Sequence, residues 1–290
     1  MVGGAEIFFA GVLGAASRLR ASAFVVTVLI SGFELENLAA GIAANAKGFP
    51  GAAAGTFLGG TTFLALAVAG LGGVIAPIAA RLPPAVLAWT AASPVPLLLL
   101  GLDGRLSRVD GALLVAWFAV SLLGLARAGR FLGRETAPQP VRAPLLRLAC
   151  GLGILTVGGA LLGEGIRQTV SKLGISETLL GNTAIAASVE AEEVGRVAVP
   201  ARRGRGELAL GNVVGTIVHF VGLNAGVIAL VKPLRLDDDT LRLHLPAAVA
   251  ATLVLCALLE SRHGVSRRAG TFLLGLYGAY VAASIALAAS

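Results

Sequence analysis

Two long apolar segments of this chain carry carboxylates near their centres. The segments run over residues 22–46 and 177–200. The acids are Glu34 and Glu36 in the first segment and Glu190, Glu192 and Glu193 in the second. At the centre of a bilayer each ionised carboxylate costs about 2.5–3.5 kcal/mol. We therefore expect the acids to face the interior of a helix bundle and to bind cations or protons. The alternative is that buried acids, protonated or paired with Arg, only tie helices together.

Helix geometry sorts these side chains, because positions three apart share a face. Glu34 and Asn37 share one face, and Glu190 and Glu193 share another. These four residues are the predicted cation-facing set, with the three acids as candidate metal ligands.

Glu36 and Glu192 lie two positions from Glu34 and Glu190 and point elsewhere, so they are second-choice ligands. Glu192 also lies four residues before Arg196. An ion pair within the helix is therefore the alternative role for this acid.

The apolar segments that follow each acidic segment supply neutral oxygen atoms. Thr56 lies in the first of them, and Asn212 and Thr216 lie in the second. Hydroxyl and amide oxygens are suitable ligands for a hard cation. His219 is the only histidine within an apolar run, and it is either a proton-handling residue or a buried polar contact.

The composition indicates what solvent the fold must meet. Of 290 residues, 56% are hydrophobic and 13% charged, and the mean hydropathy is +0.86. Soluble domains carry about 25% charged residues, so this composition predicts a polytopic helical membrane protein. The net charge of +7 comes from bases between apolar segments, which favours a role in topology over nucleic-acid binding. The sequence shows no Ser/His/Asp arrangement and no metal-ligand spacing that would indicate an enzyme, and no cofactor is expected.

About ten apolar segments follow one another along the chain. They run near 3–17, 22–46, 51–79, 84–101, 110–128, 144–166, 177–200, 207–231, 244–260 and 268–289. A polar connector near the middle divides them into five and five. The sequence thus predicts a first repeat over 1–128, a cytoplasmic linker over 129–143 and a second repeat over 144–290.

The basic residues predict the orientation of the chain. One set of alternate loops holds fourteen Lys and Arg, and the other holds eight. The richer side should be cytoplasmic, which places both termini outside. Because five helices are an odd number, the two halves should have opposite orientations in the membrane.

A shift of 156 residues aligns the two halves without a gap. It superimposes Glu34 on Glu190, Glu36 on Glu192, Gly48 on Gly204, Gly55 on Gly211, Gly59 on Gly215, Gly70 on Gly226 and Pro77 on Pro233. Two acid pairs and a proline pair in one register predict a genuine inverted repeat.

The acidic segments and their successors resemble the Ca2+/cation antiporter superfamily, which includes the membrane domains of sodium/calcium and cation/proton exchangers. SVEAEE at 188–193 takes the place of the superfamily's GTSLPE, and GNVVGTI at 211–217 takes the place of GNVIGSN. The first repeat offers GFELEN at 32–37 and GTFLGGT at 55–61. The resemblance covers nearly the whole chain, and it implies an all-α membrane fold of about ten helices.

The resemblance also implies roles for single positions. In the acidic segments, the ion-binding Glu of the family falls on Asn37 and Glu193, and the Ser before the helix-breaking Pro falls on Glu34 and Glu190. That Pro is replaced by Glu36 and Glu192. In the following helices, the family's Ser is replaced by Gly60 and Thr216, and the Asn or Asp four residues later is replaced by Leu64 and Phe220. The GFELE spelling also resembles the G-N-x-x-E motif of cation/proton exchangers, in which Glu36 would be the ligand. Leu64 and Phe220 carry no ligand atom.

The expected function is secondary antiport of Ca2+ or another cation for Na+ or H+ across a prokaryotic inner membrane. The alternatives are a cation/proton antiporter that does not handle Ca2+ and a member of the same scaffold that has lost transport. The expected partners are the lipid bilayer and inorganic cations. The oligomeric state is left open.

Overall fold

Helices make up nearly all of the chain. A computed structural model describes residues 2–31, 35–132, 141–172 and 191–288. The α-helices are α1 (Val2–Leu19), α2 (Ala23–Ser31), α3 (Leu35–Ala46), α4 (Pro50–Thr62), α5 (Ala69–Ile75), α6 (Pro84–Ala92), α7 (Val95–Gly101), α8 (Arg108–Ala128), α9 (Pro144–Lys172), α10 (Ala191–Arg202), α11 (Gly206–Val218), α12 (Ala225–Val231), α13 (Leu245–Arg262) and α14 (Arg267–Ala288). Three π-helical segments lie at Phe63–Val68, His219–Asn224 and Thr240–His244.

Seven spans in the described part of the chain are long and apolar enough to cross a membrane. They are Ala23–Ala46, Pro50–Ile75, Pro84–Gly101, Arg108–Ala128, Gly206–Val231, Thr240–Arg262 and Arg267–Leu287. The prediction of an all-α membrane fold is confirmed. Parts of the predicted linker and of the segment 177–200 lie outside the described residues, so the predicted domain boundaries stay a prediction.

The helices of the two halves correspond in register. The helices α3, α4 and α5 correspond to α10, α11 and α12, because the first and last described residues of each pair differ by 156 positions. The π-helix at Phe63–Val68 matches the one at His219–Asn224 at the same shift. Gly48 and Gly204, which also correspond, both have positive φ, at 85° and 70°. The repeat predicted from two acid pairs and a proline pair therefore extends to the backbone.

Two short sheets join the halves to each other. The strands are β1 (Ile78–Ala79), β2 (Arg105–Leu106), β3 (Leu234–Arg235) and β4 (Gly264–Val265). β1 pairs antiparallel with β4, with Ile78 opposite Val265, and β2 pairs antiparallel with β3, with Arg105 opposite Arg235. Each sheet takes one strand from each repeat, so the two repeats interlock at both.

The core lies along the two longest spans. Within the 18-residue apolar stretch of each span, 78% of the residues in Pro50–Ile75 and 83% of those in Gly206–Val231 are buried, against 11% in Arg267–Leu287. The first two spans are therefore central, and the last faces the surroundings of the molecule. A smaller apolar cluster forms where α1 packs against α9, with Phe8 and Leu155 among its buried members.

Serine caps begin the last helix of each half. Ser107 Oγ accepts from the Asp110 amide at 3.2 Å, and Asp110 Oδ2 accepts from the Ser107 amide at 2.7 Å, which closes a capping box on α8. Ser266 Oγ accepts from the Ala269 amide at 3.3 Å at the start of α14. These caps satisfy backbone donors that the first helical turn leaves open.

Glycines let the two halves approach at backbone distance. A Cβ on Gly226 of α12 would lie 2.8 Å from the Gly111 carbonyl oxygen of α8. The symmetry-related crossing is equally close, since a Cβ on Gly70 would lie 2.9 Å from the Gly270 carbonyl oxygen. Small residues at helix crossings are typical of membrane bundles, because they permit close packing.

We expect Gly226→Ala to destabilise the protein, because the new methyl group meets backbone rather than a movable side chain. Overpacking of this kind costs about 1–3 kcal/mol. The matched control is Gly278→Ala, since no described atom lies within 4 Å of a Cβ there. The measurement is the midpoint of thermal unfolding in detergent. Equal midpoints for the two variants would contradict the close crossing.

Candidate functional site

A backbone carbonyl of α2 provides the first component of the site. The Ser31 carbonyl accepts from Arg196 Nη1 at 3.3 Å and from Thr216 Oγ1 at 3.2 Å. α2 is thereby joined to both α10 and α11.

The guanidinium of Arg196 lies at the centre of the site. Its Nη2 donates to Glu192 Oε1 and its Nη1 donates to Glu193 Oε1, so one arginine bridges both acids of α10. The pairs form because residues three and four apart share a helix face. The three side chains are 1%, 9% and 0% exposed, respectively. The guanidinium carbon also lies 5.5 Å from the ring centroid of Phe8 in α1, within the range of a cation–π contact.

Two residues of α11 complete the network. Asn212 Nδ2 donates to Glu193 Oε2, and Thr216 Oγ1 donates to the Asn212 carbonyl at 3.0 Å as well as to Ser31. α11 reaches α2 because Gly215 has no side chain: a Cβ there would lie 2.8 Å from the Val28 carbonyl oxygen. The sequence GNVVGTI therefore supplies a close approach and two polar groups in one turn and a half.

Three buried oxygen atoms of this network have no hydrogen-bond partner among the described residues. They are Ser31 Oγ, Glu192 Oε2 and Asn212 Oδ1. Their residues are 1%, 7% and 1% exposed. Buried polar atoms are normally hydrogen-bonded, and an exception calls for an explanation such as a bound ion or water. The three oxygens are therefore candidate ligands for a cation or a proton.

The other predicted ligands contribute less to this network. Glu34 and Glu190 lie outside the described residues. Asn37 is buried in the first turn of α3, whereas Glu36 is exposed. Thr56 Oγ1 donates to the Ala53 carbonyl of its own helix at 2.8 Å. The described network thus consists of second-repeat side chains together with Ser31.

Hydrocarbon fills the space beside Gly60, the first-repeat residue that corresponds to Thr216. The ring of Phe220 packs against Gly60, where a Cβ would lie 2.9 Å from Phe220 Cδ2 and nearer still to Cε2. Leu64 is also fully buried. These residues correspond to ligand positions in the family pattern, and none offers a side-chain oxygen. The site is therefore asymmetric, although the backbone around it is symmetric.

His219 lies three residues after Thr216, at the junction of α11 with the π-helical segment. Its Nδ1 lies 2.8 Å from the Gly215 carbonyl oxygen, and its ring packs edge-on against Phe118 at 4.7 Å. The residue is completely buried. It occupies the first position of a π-helical segment, an irregularity that often occurs at functional sites. A role in proton handling stays a prediction.

The hydrogen-bonded cluster of Arg196, Glu192 and Glu193 carries one net negative charge, and the exposed carboxylate of Glu36 lies close enough to interact electrostatically with Glu192. Two carboxylates and one guanidinium meet there, and each of the three side chains is at least nine-tenths buried. No group of three or more His, Cys, Asp or Glu side chains capable of holding a metal occurs within the described ranges. The arrangement suits one further positive charge, either a small cation or a proton.

Sequence reasoning anticipated part of this geometry. The Glu192–Arg196 pair that was the alternative for Glu192 is present, but Glu193 binds the same arginine although it was expected to face the cation. Ser31 and Phe8 were missed. The signal for Ser31 was a small polar residue just before the acidic motif, followed by Gly32. Nothing in the sequence links Phe8 with a residue nearly two hundred positions away.

Comparison with known proteins identifies relatives over the full length of the chain. The model of the sodium/calcium exchanger protein family matches residues 1–126 and 143–286. The putative antiporter CaxA of Alkalimonas amylolytica is 26% identical over 289 residues, covering 92% of this chain and 88% of that protein. The inner membrane protein YrbG of Escherichia coli is 25% identical over 232 residues, covering 73% and 70%. The sodium/calcium exchanger MaX1 of Methanosarcina acetivorans is 30% identical over 109 residues, 38% and 31% of the two chains.

A solved exchanger has the same fold. The structure of the sodium-calcium exchanger NCX_Mj soaked with Na+ and Sr2+ matches with a TM-score of 0.82 at 24% identity, covering 96% of this chain and 93% of that one. This likeness supports the inverted-repeat membrane fold predicted from the sequence.

We expect Glu193→Gln to destabilise the protein strongly, because it leaves the buried guanidinium with a single carboxylate. Breaking a buried ion pair costs about 3–5 kcal/mol, whereas an exposed pair contributes about 0–1 kcal/mol. The matched control is Asp238→Asn, which removes an exposed carboxylate–arginine pair with Arg242 at 3.3 Å. Thermal unfolding in detergent measures both. Similar losses in the two variants would contradict the central role of the buried pair.

Proposed function

The chain belongs to the sodium/calcium exchanger family and is a secondary active cation antiporter, and we propose that it exchanges a singly charged cation, Na+ first, for protons. The family match covers both halves of the chain, and two of the relatives, CaxA and MaX1, are named as a putative antiporter and a sodium/calcium exchanger. The choice of cation rests on the charge and the ligands of the site.

The observation that carries the proposal is the set of unpartnered oxygens in the buried network. Ser31 Oγ, Glu192 Oε2 and Asn212 Oδ1 are acceptors in a region with one net negative charge. A hydroxyl, a carboxylate and an amide oxygen are suitable ligands for Na+. A proton on Glu192 would balance the same charge. The two ions therefore compete for one place.

Exchange follows from this competition. If the site released its cation without taking a proton, one buried carboxylate charge would be left uncompensated in a medium of low dielectric constant. The empty site would therefore be too costly to reorient across the membrane. No cofactor is needed, because the ion gradient supplies the free energy.

Alternating access would use the inverted repeat. In transporters of this architecture the site lies at the repeat interface near the bilayer midplane, and one bundle moves against the other around it. Here the network joins α2 of the first repeat to α10 and α11 of the second. A movement between the halves would therefore open and close the contacts of Ser31. The proposed surroundings of the protein are lipid and inorganic cations.

Ca2+ is the second candidate for the transported ion. The family name and the name of MaX1 both favour it. Ca2+ takes six to eight oxygen ligands, several of them carboxylate. Glu192 and Glu193 already share a guanidinium, and Gly60 and Phe220 stand at two further ligand positions of the family pattern without a side-chain oxygen. The third candidate is a scaffold that no longer transports.

We expect proteoliposomes of the wild-type protein to take up radioactive Na+ when their lumen is acidic, because outward protons would drive inward cation. Glu192→Gln should lower the rate by about tenfold or more, the equivalent of about 1.4 kcal/mol. It removes the carboxylate that alternates between the two ions. The control is Asp238→Asn, which leaves the buried network intact.

Parallel assays with radioactive Ca2+, driven first by a pH gradient and then by a Na+ gradient, separate the three candidates. Na+ uptake without Ca2+ uptake supports the proposal. Ca2+ uptake under either gradient would replace it with the second candidate. No uptake of either ion by folded protein would favour the inactive scaffold.

We propose that the protein lies in a prokaryotic inner membrane with both termini outside. The bias of fourteen bases against eight in alternate loops supports this orientation. Lys47 and Arg203 are exposed turn residues at corresponding positions of the two repeats, on opposite sides of the membrane by this reasoning.

We expect Lys47→Cys to react with a membrane-impermeant maleimide in intact cells, and Arg203→Cys to react only after permeabilisation. Both substitutions are made after Cys150 and Cys256 have been replaced by Ala. The readout is the labelled fraction of the purified protein. Labelling of Arg203→Cys alone in intact cells would show that the chain has the opposite orientation. Labelling of both positions to the same extent would contradict the inverted topology.

A further inference from the structure

The groups around Arg196 are those that bind cations in transporters. The guanidinium joins two carboxylates, those of Glu192 and Glu193, to the backbone carbonyl of Ser31 in α2. Backbone carbonyls and carboxylates at a repeat interface are the usual ligands for transported Na+. In this chain the group that contacts all three of them is a guanidinium.

We propose that Arg196 is a tethered cation: its guanidinium occupies one cation position of the site and thereby excludes divalent cations. The inference rests on the proposed function, since it explains why the site would take a single charge. With Arg196 present, the described network carries one net negative charge. Without it, the same network would carry two negative charges and would match Ca2+.

A purely structural ion pair would make different contacts. Arg203 follows directly after α10 and provides the comparison. Its guanidinium carbon lies 5.6 Å from the ring of Phe9, as that of Arg196 lies 5.5 Å from Phe8, so both arginines pack on α1. However, Arg203 pairs at 3.0 Å with Glu6, and both side chains are about half exposed. Of these two arginines, only Arg196 contacts buried acids and a buried backbone carbonyl, that of Ser31.

Among the described residues, three ligand positions of the family pattern carry no carboxylate. Asn37 stands where the pattern has an acid, and Phe220 fills the space beside Gly60. A divalent cation bound at this network would therefore use the oxygens that already hold the guanidinium. Arg196 and Ca2+ cannot both occupy them.

The test measures Ca2+ binding to purified protein in detergent, with Arg196→Ala and, as the matched control, Arg203→Ala. Equilibrium dialysis with radioactive Ca2+ should give at least about tenfold tighter binding for Arg196→Ala than for the wild type. Arg203→Ala should bind like the wild type. Free guanidinium at millimolar concentration, far below denaturing levels, should compete with Ca2+ in Arg196→Ala only.

If Arg196→Ala does not remain folded, it is purified in millimolar guanidinium, which should occupy the vacated position and raise the yield of monodisperse protein. Failure of guanidinium to do so would count against the proposal. Arg196→Lys, which keeps the charge, should remain unable to bind Ca2+.

The proposal is overturned if folded Arg196→Ala binds Ca2+ no better than the wild type, or if guanidinium does not compete. It is also overturned if the wild type binds Ca2+ as tightly as the variant does. The binding assay does not depend on transport. If wild-type vesicles exchange no cation but Arg196→Ala binds Ca2+ in competition with guanidinium, the proposed antiport fails and the tethered cation stands.

Discussion

The need to balance charge inside an apolar bundle governs the centre of this molecule. Glu192 and Glu193 are adjacent and buried, so neither would be tolerated as a free anion. Arg196 neutralises one of the two charges, and the packing around it follows from that requirement. Phe8 covers the guanidinium, Ser31 accepts from it, and α11 comes close enough for Asn212 to bind Glu193. The remaining negative charge leaves a place for a mobile ion.

The backbone of the two repeats has stayed alike while the ligands have diverged. The π-helical segments, the turns at Gly48 and Gly204 and the ends of α4 and α11 all correspond at one shift. The side chains at corresponding site positions do not: Gly60 faces Phe220, whereas its counterpart Thr216 binds Ser31. Two equivalent conformations of the bundle require similar backbones in both repeats. The single site between the repeats requires only one set of balanced charges. This difference permits a ligand such as Thr216 to lack a counterpart in the other half.

The sequence predicted the fold better than it predicted the site. Apolar segments of membrane-spanning length, one repeated register and the glycine pairs determine the helices and their order, because these signals are local or periodic. The partners of Arg196 were only half predicted. Helix spacing indicated the pair with Glu192, since the two share a turn. The prediction did not pair Glu193 with Arg196. It also did not identify Ser31 or Phe8, because these residues contact Arg196 only when their helices pack against α10.

The location of the charged groups bears on how the site would move. Glu192, Glu193 and Arg196 all lie on α10, so their ion pairs persist when one half of the bundle shifts against the other. Of the contacts described above, those that cross between the halves are those of Ser31 with Arg196 and Thr216 and of Phe8 with Arg196. Only these contacts change in a movement between the halves. The guanidinium therefore moves together with its two acids. The mobile ion is held by Ser31, Glu192 and Asn212 together, so its ligands change when the conformation of the site changes.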